Sequence, residues 1–149
     1  MTLDPLPHLC FSHRAKAAPY NSAVLEHLAA ASLPLCLALA KENTAPLAGL
    51  DSLDISILGA RAMARVHRDF LDISGATDVI TFPYGEILVC APIAASRAPE
   101  FGHSTTTELA LYIIHGFLHL SGYDDTNPLA AKTMADIQSH ILSETINPR

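Results

Sequence analysis

The sequence predicts an α+β fold, and three observations carry that expectation. Residues 53–58 alternate apolar and polar side chains, as a strand with one buried face does. Residues 78–82 and 86–91 are strand-like runs separated by Pro83, Tyr84 and Gly85, the pattern of a hairpin. Residues 104–120 read as a helix whose interior, Leu109 through Ile114, is almost wholly apolar. A helix apolar all round belongs in the centre of a fold.

The remaining elements follow in chain order. Residues 9–13 alternate well enough for a short first strand. Asn21 or Ser22 caps a helix running to about Ser32, and Pro34 opens a second helix reaching Lys41, because proline suits a first helical turn. Residues 43–52 read as a loop punctuated by Pro46 and Gly49. Residues 60–70 have a helical period that puts Met63, Val66 and Phe70 near one face, with Arg61, Arg65 and Arg68 on the polar side. Gly75 closes that unit. After the hairpin, residues 94–97 make a helical turn at most. Ser104 or Thr105 caps the central helix, and Glu108 lies in its early turns, where the macrodipole favours an anion. Gly122 terminates it. Beyond Asn127 and Pro128, residues 129–142 form a last amphipathic helix.

A chain of 149 residues, half of them hydrophobic, suits one domain spanning 1–149. Only 16% of residues are charged, against ~25% in typical soluble domains, which favours some apolar surface covered by a partner. The net charge of −6 and pI of 5.6 exclude a generic polyanion binder with a broad basic excess. They leave room for a small basic cleft on an acidic body. Cys10, Cys36 and Cys90 include no CxxC pair and are expected to be buried reduced thiols. Residues 1–9 lack the pattern of a secretory signal, and the longest apolar stretch, 29–40, is interrupted by Ser32 and Pro34. No membrane association is expected, and the cytoplasm is the expected location.

The chemistry concentrates in residues 115–125, His-Gly-Phe-Leu-His-Leu-Ser-Gly-Tyr-Asp-Asp. His115 and His119 stand at i and i+4, so both rings leave one face of the helix. A straight helix supplies a third ligand poorly. Gly122 allows the chain to turn, and Asp125 then returns toward the two imidazoles. The pattern H-x3-H-x2-G-x2-D has the spacing of the metzincin signature, with Asp125 in the place of its third histidine. Three protein ligands leave an open coordination position, the catalytic arrangement. Zinc fits two imidazoles and one carboxylate, and the oxygen donor also admits manganese or iron(II). Asp124 is the alternative third ligand if the turn differs by one residue. Gly116 stands where metalloproteases carry their glutamate base, so peptide hydrolysis by that route is not expected. Glycine costs roughly 1 kcal/mol in a helix interior, which implies a packing or access reason for it.

The same segment resembles the YbeY family signature H-G-x-L-H-L-x-G-Y-D-H. A second stretch, Thr77-Asp-Val-Ile-Thr-Phe-Pro83, is similar to the family's T-D-V-L-S-F-P, and Arg68 falls where the family has the arginine of N-x-x-Y-R. Glu108 and Leu109 also fit the usual approach to the metal helix. The resemblance covers about residues 53–142. It implies a zincin-like α+β fold, with a small mixed β-sheet packed with helices and the metal-binding helix lying centrally. The implied activity is metal-dependent endoribonuclease action in ribosomal RNA (16S) maturation and ribosome quality control. His115, His119 and Asp125 would hold one ion, and Arg68 would bind the scissile phosphate as catalytic residue. The implied partners are ribosomal RNA and the ribosome or its proteins, with no DNA expected. Arg65, His67 and Lys132 are further phosphate contacts to weigh, whereas Thr77 and Asp78 read as structural.

The chain also departs from the family. Asp125 replaces a histidine ligand, Arg65 and His67 replace the Asn and Tyr of the arginine motif, and the loop at 84–86 is short. A carboxylate ligand makes the ion a weaker Lewis acid. The alternative function is therefore a non-catalytic ribosome-associated or RNA-binding protein with a structural or lost metal site.

Overall fold

Each alternating run in the sequence becomes a strand. The structure, a computed structural model, describes residues 6–16, 18–41 and 45–148. Strands β1 (His8–His13), β2 (Ser52–Leu58), β3 (Val79–Phe82) and β4 (Glu86–Cys90) form a sheet in the order β1-β2-β4-β3. β1 and β4 both run parallel to β2, and β3 returns antiparallel to β4, so the sheet is mixed. Parallel neighbours need a crossover. Helix α1 (Ser22–Ala38) supplies the first; α2 (Ala60–Leu71), with β3, supplies the second. Gly85, at φ 113, makes the turn between β3 and β4.

The strands' period of two separates two cores. Ile55, Ile57, Ile87 and Val89 face a large cluster that includes α1 and the central helix α4 (Thr105–Leu120). Leu88, Cys90 and Ile80 face the opposite way and meet Met63 of α2. Helix α4 touches α1, β3, β4, the short helix α3 (Ala91–Arg97) and the last helix α5 (Pro128–Ile146). Its Leu109, Ile113, Ile114 and Phe117 are wholly buried, each worth about 1.5–3 kcal/mol. The fold is α+β, one small mixed sheet packed with helices around α4, as expected.

Several details differ from the sequence expectation. Pro34 does not start a new helix; α1 runs through it. The cost falls on the Ala30 carbonyl, which loses a donor, but Ala30 and Pro34 are both exposed, so water can replace the lost bond. Phe70 does not join Met63 inside; it is 70% exposed. Asp72, in the left-handed region at φ 54, ends α2 three residues before Gly75. α3 is a full helix because Pro92 occupies its first turn. α5 extends beyond 142 to Ile146. Cys36 and Cys90 are buried, whereas Cys10 is exposed on the edge strand β1. Part of the loop expected over 43–52, and residues 1–5 of the N-terminal segment, lie outside the described residues. No helix among the described residues is long and apolar enough to cross a membrane.

Candidate metal centre

The site begins with the two ends of α4. Ser104 caps its start, its Oγ accepting from the Thr107 amide at 3.1 Å. At its far end Gly122, φ 100, reverses the chain. The Gly122 and Tyr123 amides donate back to the His119 and Leu118 carbonyls at 3.1 and 3.0 Å. That reversal returns Asp125 to the helix face carrying His115 and His119.

Three donor residues then converge. His115 Nε2 lies 3.0 Å from His119 Nε2 and 3.5 Å from Asp125 Oδ2, and His119 Nε2 lies 3.8 Å from Asp125 Oδ1. With one ligand atom taken from each residue, all three lie within 4.8 Å of one another. Ligands ~2.0–2.1 Å from a tetrahedral zinc ion sit roughly 3.3 Å apart, so a small closing movement would seat an ion. The tautomers agree with this. His115 Nδ1 donates to Gln138 Oε1 at 2.8 Å, and His119 Nδ1 donates to the Tyr123 carbonyl at 3.0 Å. With both Nδ1 protons committed, both Nε2 lone pairs face the carboxylate. Two lone pairs and an anion pointed at one spot repel unless a cation lies between them. His115, His119 and Asp125 could therefore hold a metal ion. Burial and the neighbouring His115 push the His119 pKa down, partly offset by Asp125, which keeps the ring neutral and ready to ligate.

Asp124 turns elsewhere. Its Oδ1 accepts from the Thr126 hydroxyl at 2.9 Å and amide at 3.3 Å, bonds that lower its pKa. The bend is also fastened to the end of α1. Tyr123 donates its hydroxyl to the Leu39 carbonyl at 2.8 Å, the Lys41 amide donates to the Ser121 carbonyl at 3.0 Å, and the Lys41 ammonium lies 4.9 Å from the Tyr123 ring centroid. Gly116 has its packing reason: a Cβ there would lie 2.8 Å from Ile87 Cδ1, so any side chain beside the first histidine would have to displace the buried Ile87.

The site opens on two sides. A cavity of 680 Å³ runs from His115, His119 and Asp125 along β3, walled by residues 77–83 and by His67 and Leu71 of α2. The hairpin thus provides the sheet edge beside the cleft. A second cavity, also 680 Å³, lies across His115 and Asp125 and is walled by Arg97, His103, Glu108 and Tyr112. Asp78 joins both. Its Oδ1 accepts from the Val79 amide at 2.8 Å, and its Oδ2 accepts from Arg97 Nη1 at 2.8 Å. The Tyr112 hydroxyl is buried beside Glu108 and Arg97 without a formed hydrogen bond; burial and the Glu108 charge raise its pKa.

The basic candidates scatter. Arg68 is 66% exposed, donates to Asp69 Oδ1 at 3.0 Å and lines a separate depression with Ala64 and Asp72. Arg65 lines a groove on the far face of the sheet with Cys10, Asp54 and Glu86. Lys132 pairs with Asp136 along α5. Of these candidates, only His67 reaches the main cavity, with Nδ1 donating to the Gly75 carbonyl at 2.8 Å. Gln138 was not foreseen. Its signal was present: an amide on α5 between the buried Met134 and Ile141, at the spacing of one helix face.

Comparison with known proteins agrees. Residues 14–146 match the family described as Endoribonuclease YbeY. Endoribonuclease YbeY of Mycobacterium bovis is 36% identical over 127 residues, covering 72% of this chain and 70% of that protein, and the Mycobacterium tuberculosis protein matches equally. The Mycolicibacterium paratuberculosis protein is 35% identical over the same shares. A solution structure from Thermotoga maritima is similar in fold, with a TM-score of 0.57 at 23% identity, covering 91% of this chain and 89% of that one. With the two sequence motifs and a family match over nearly the whole chain, this protein belongs to the YbeY endoribonuclease family.

Proposed function

We propose that the protein is a metal-dependent endoribonuclease of 16S ribosomal RNA maturation and ribosome quality control, acting in the cytoplasm as a single domain. The observation that supports this most is the convergence of His115 Nε2, His119 Nε2 and an Asp125 oxygen with both Nδ1 atoms already bonded. One zinc ion fits that donor set, and manganese or iron(II) also suits its oxygen. When bound, the ion would polarise a phosphate oxygen and acidify water. The chain's own residues do the rest. Gln138 and the Tyr123 carbonyl hold the imidazoles in register, and β3 with His67 walls the groove in which a strand of RNA lies. Arg68, exposed on α2 one residue from the cavity-lining His67, would hold a phosphate of that strand with its planar fork.

The test is cleavage of a 16S-derived RNA by purified protein, alongside metal analysis. Cleavage lost in His115→Ala and weakened in Arg68→Glu supports the reading; equal cleavage in wild type and both variants overturns it. The second reading, an RNA- or ribosome-associated protein without catalysis, is favoured by one observation: Arg68 lines a depression other than the metal cavity. RNA binding without cleavage would establish it.

A further inference from the structure

Three aromatic rings form a ladder on the open edge of the sheet. Phe70 and Phe82 meet edge-on, with centroids 5.8 Å apart and planes at 72°. Phe82 and Tyr84 stack, with centroids 5.4 Å apart and planes at 18°. The chain has five Phe, four Tyr and no Trp, and two of these nine rings, Phe70 and Tyr84, stand here 70% and 69% exposed. Leu71, 47% exposed, lines the same cavity as Phe82. Single exposed apolar residues need no explanation, but a contiguous group marks a contact site. This one leads somewhere: Phe82 is also a wall of the cavity that holds His115, His119 and Asp125.

The chemistry of the patch selects its occupant. The Tyr84 hydroxyl donates to Glu86 Oε2 at 3.3 Å, and the charge of Asp54 also reaches it. A phosphate is repelled there, whereas a neutral base is not. A net charge of −6 gives the protein little long-range hold on RNA, so affinity must come from short-range contact. Stacking on an aromatic face accepts every base. A protein strand adding to β3 fits less well, because β3 has four residues and Pro83, with no amide hydrogen, follows it.

We propose that Phe70, Phe82 and Tyr84 are a base-stacking platform for the nucleotides flanking the bond presented to the metal cleft. This rests on the endoribonuclease reading and adds how its substrate is held. Tyr84 offers its outer face to one base, and Phe70 supports Phe82 from the α2 side.

The experiment measures fluorescence anisotropy of a short, labelled 2′-O-methyl oligoribonucleotide with the metal-loaded protein, over a range of salt. Tyr84→Ala and Phe70→Ala, both at exposed positions, should each weaken binding on the order of tenfold; Tyr84→Trp should restore it. The slope of affinity against salt should stay that of wild type, since no phosphate contact is removed. Binding unchanged in both alanine variants overturns the proposal. So does a slope that falls together with affinity, which would assign the rings to backbone contacts. A wild-type dimer in sedimentation that Tyr84→Ala dissociates, with RNA affinity intact, overturns it in favour of a second copy. Cleavage by wild type with unaffected binding in the variants removes the platform alone; a wild type that neither binds nor cleaves RNA removes the nuclease reading with it.

Discussion

Oε1 of Glu108, a carboxylate only 2% exposed, lies 3.1 Å from Nδ1 of His103 at the start of α4. Among the described residues no other charged side chain is buried. The helix N-terminus favours the anion, and His103 supplies its hydrogen bond. His103→Ala should therefore destabilise the protein by roughly 3 kcal/mol in urea unfolding, because a buried charge loses its partner. Glu108→Gln should relieve much of that loss in the double variant. A His103→Ala protein as stable as wild type would refute the pairing.

Gly116→Ala tests the closeness of α4 to the sheet. Ile87 is fully buried, and its Cδ1, Cγ2 and Cγ1 would lie 2.8, 3.0 and 3.1 Å from the new Cβ. Overpacking of this kind costs about 1–3 kcal/mol. Ile87→Val removes the nearest atom, so the cost of Gly116→Ala should shrink in that background, as a double-mutant cycle would measure.

Metal analysis should find close to one ion per chain in wild type and none in His115→Ala. At a zinc concentration a hundredfold above Kd, wild type should gain about 2.7 kcal/mol of stability, and His115→Ala should gain nothing. Asp125→His supplies a third imidazole and should bind zinc at least as tightly, as read by competition with a chelating dye. Zinc affinity unchanged by Asp125→Ala would show that Asp125 is not at a ligand position.

The ion-free protein should lose stability in mild acid. His119 has its pKa lowered from 6.5 in the fold. Above that value the ring is neutral whether the chain is folded or not, and it contributes no pH dependence. Below it the unfolded chain takes up a proton that the folded chain resists, so stability falls until the folded pKa is reached. Urea midpoints measured from neutral to mildly acidic pH should drop more steeply for wild type than for His119→Gln. Parallel profiles would contradict the assignment.

Local chemistry made most of this readable in advance. The pairing of His115 with His119 needs only helical spacing, and the return of Asp125 needs only a residue that accepts φ 100, which Gly122 is. Sheet order, in contrast, depends on crossovers that no short window contains. Phe70 fits the apolar period of α2 yet stands outside, because periodicity says nothing about where a sheet ends. The continuity of α1 through Pro34 was hidden for a related reason: exposure of Ala30 decides what proline costs, and exposure is tertiary. Arg68 illustrates the limit at the site, since neighbours on one helix diverge and His67 faces the cavity instead.

The splice between the 121–125 bend and the end of α1 gives ion occupancy a remote signature. Leu39 and Lys41 are tied to Tyr123 and Ser121, so anything that slackens the bend also unmoors the last turn of α1. Chelation should then speed amide hydrogen exchange around residues 39–41, some eighty positions away in sequence, while leaving the β2–β4 ladder slow.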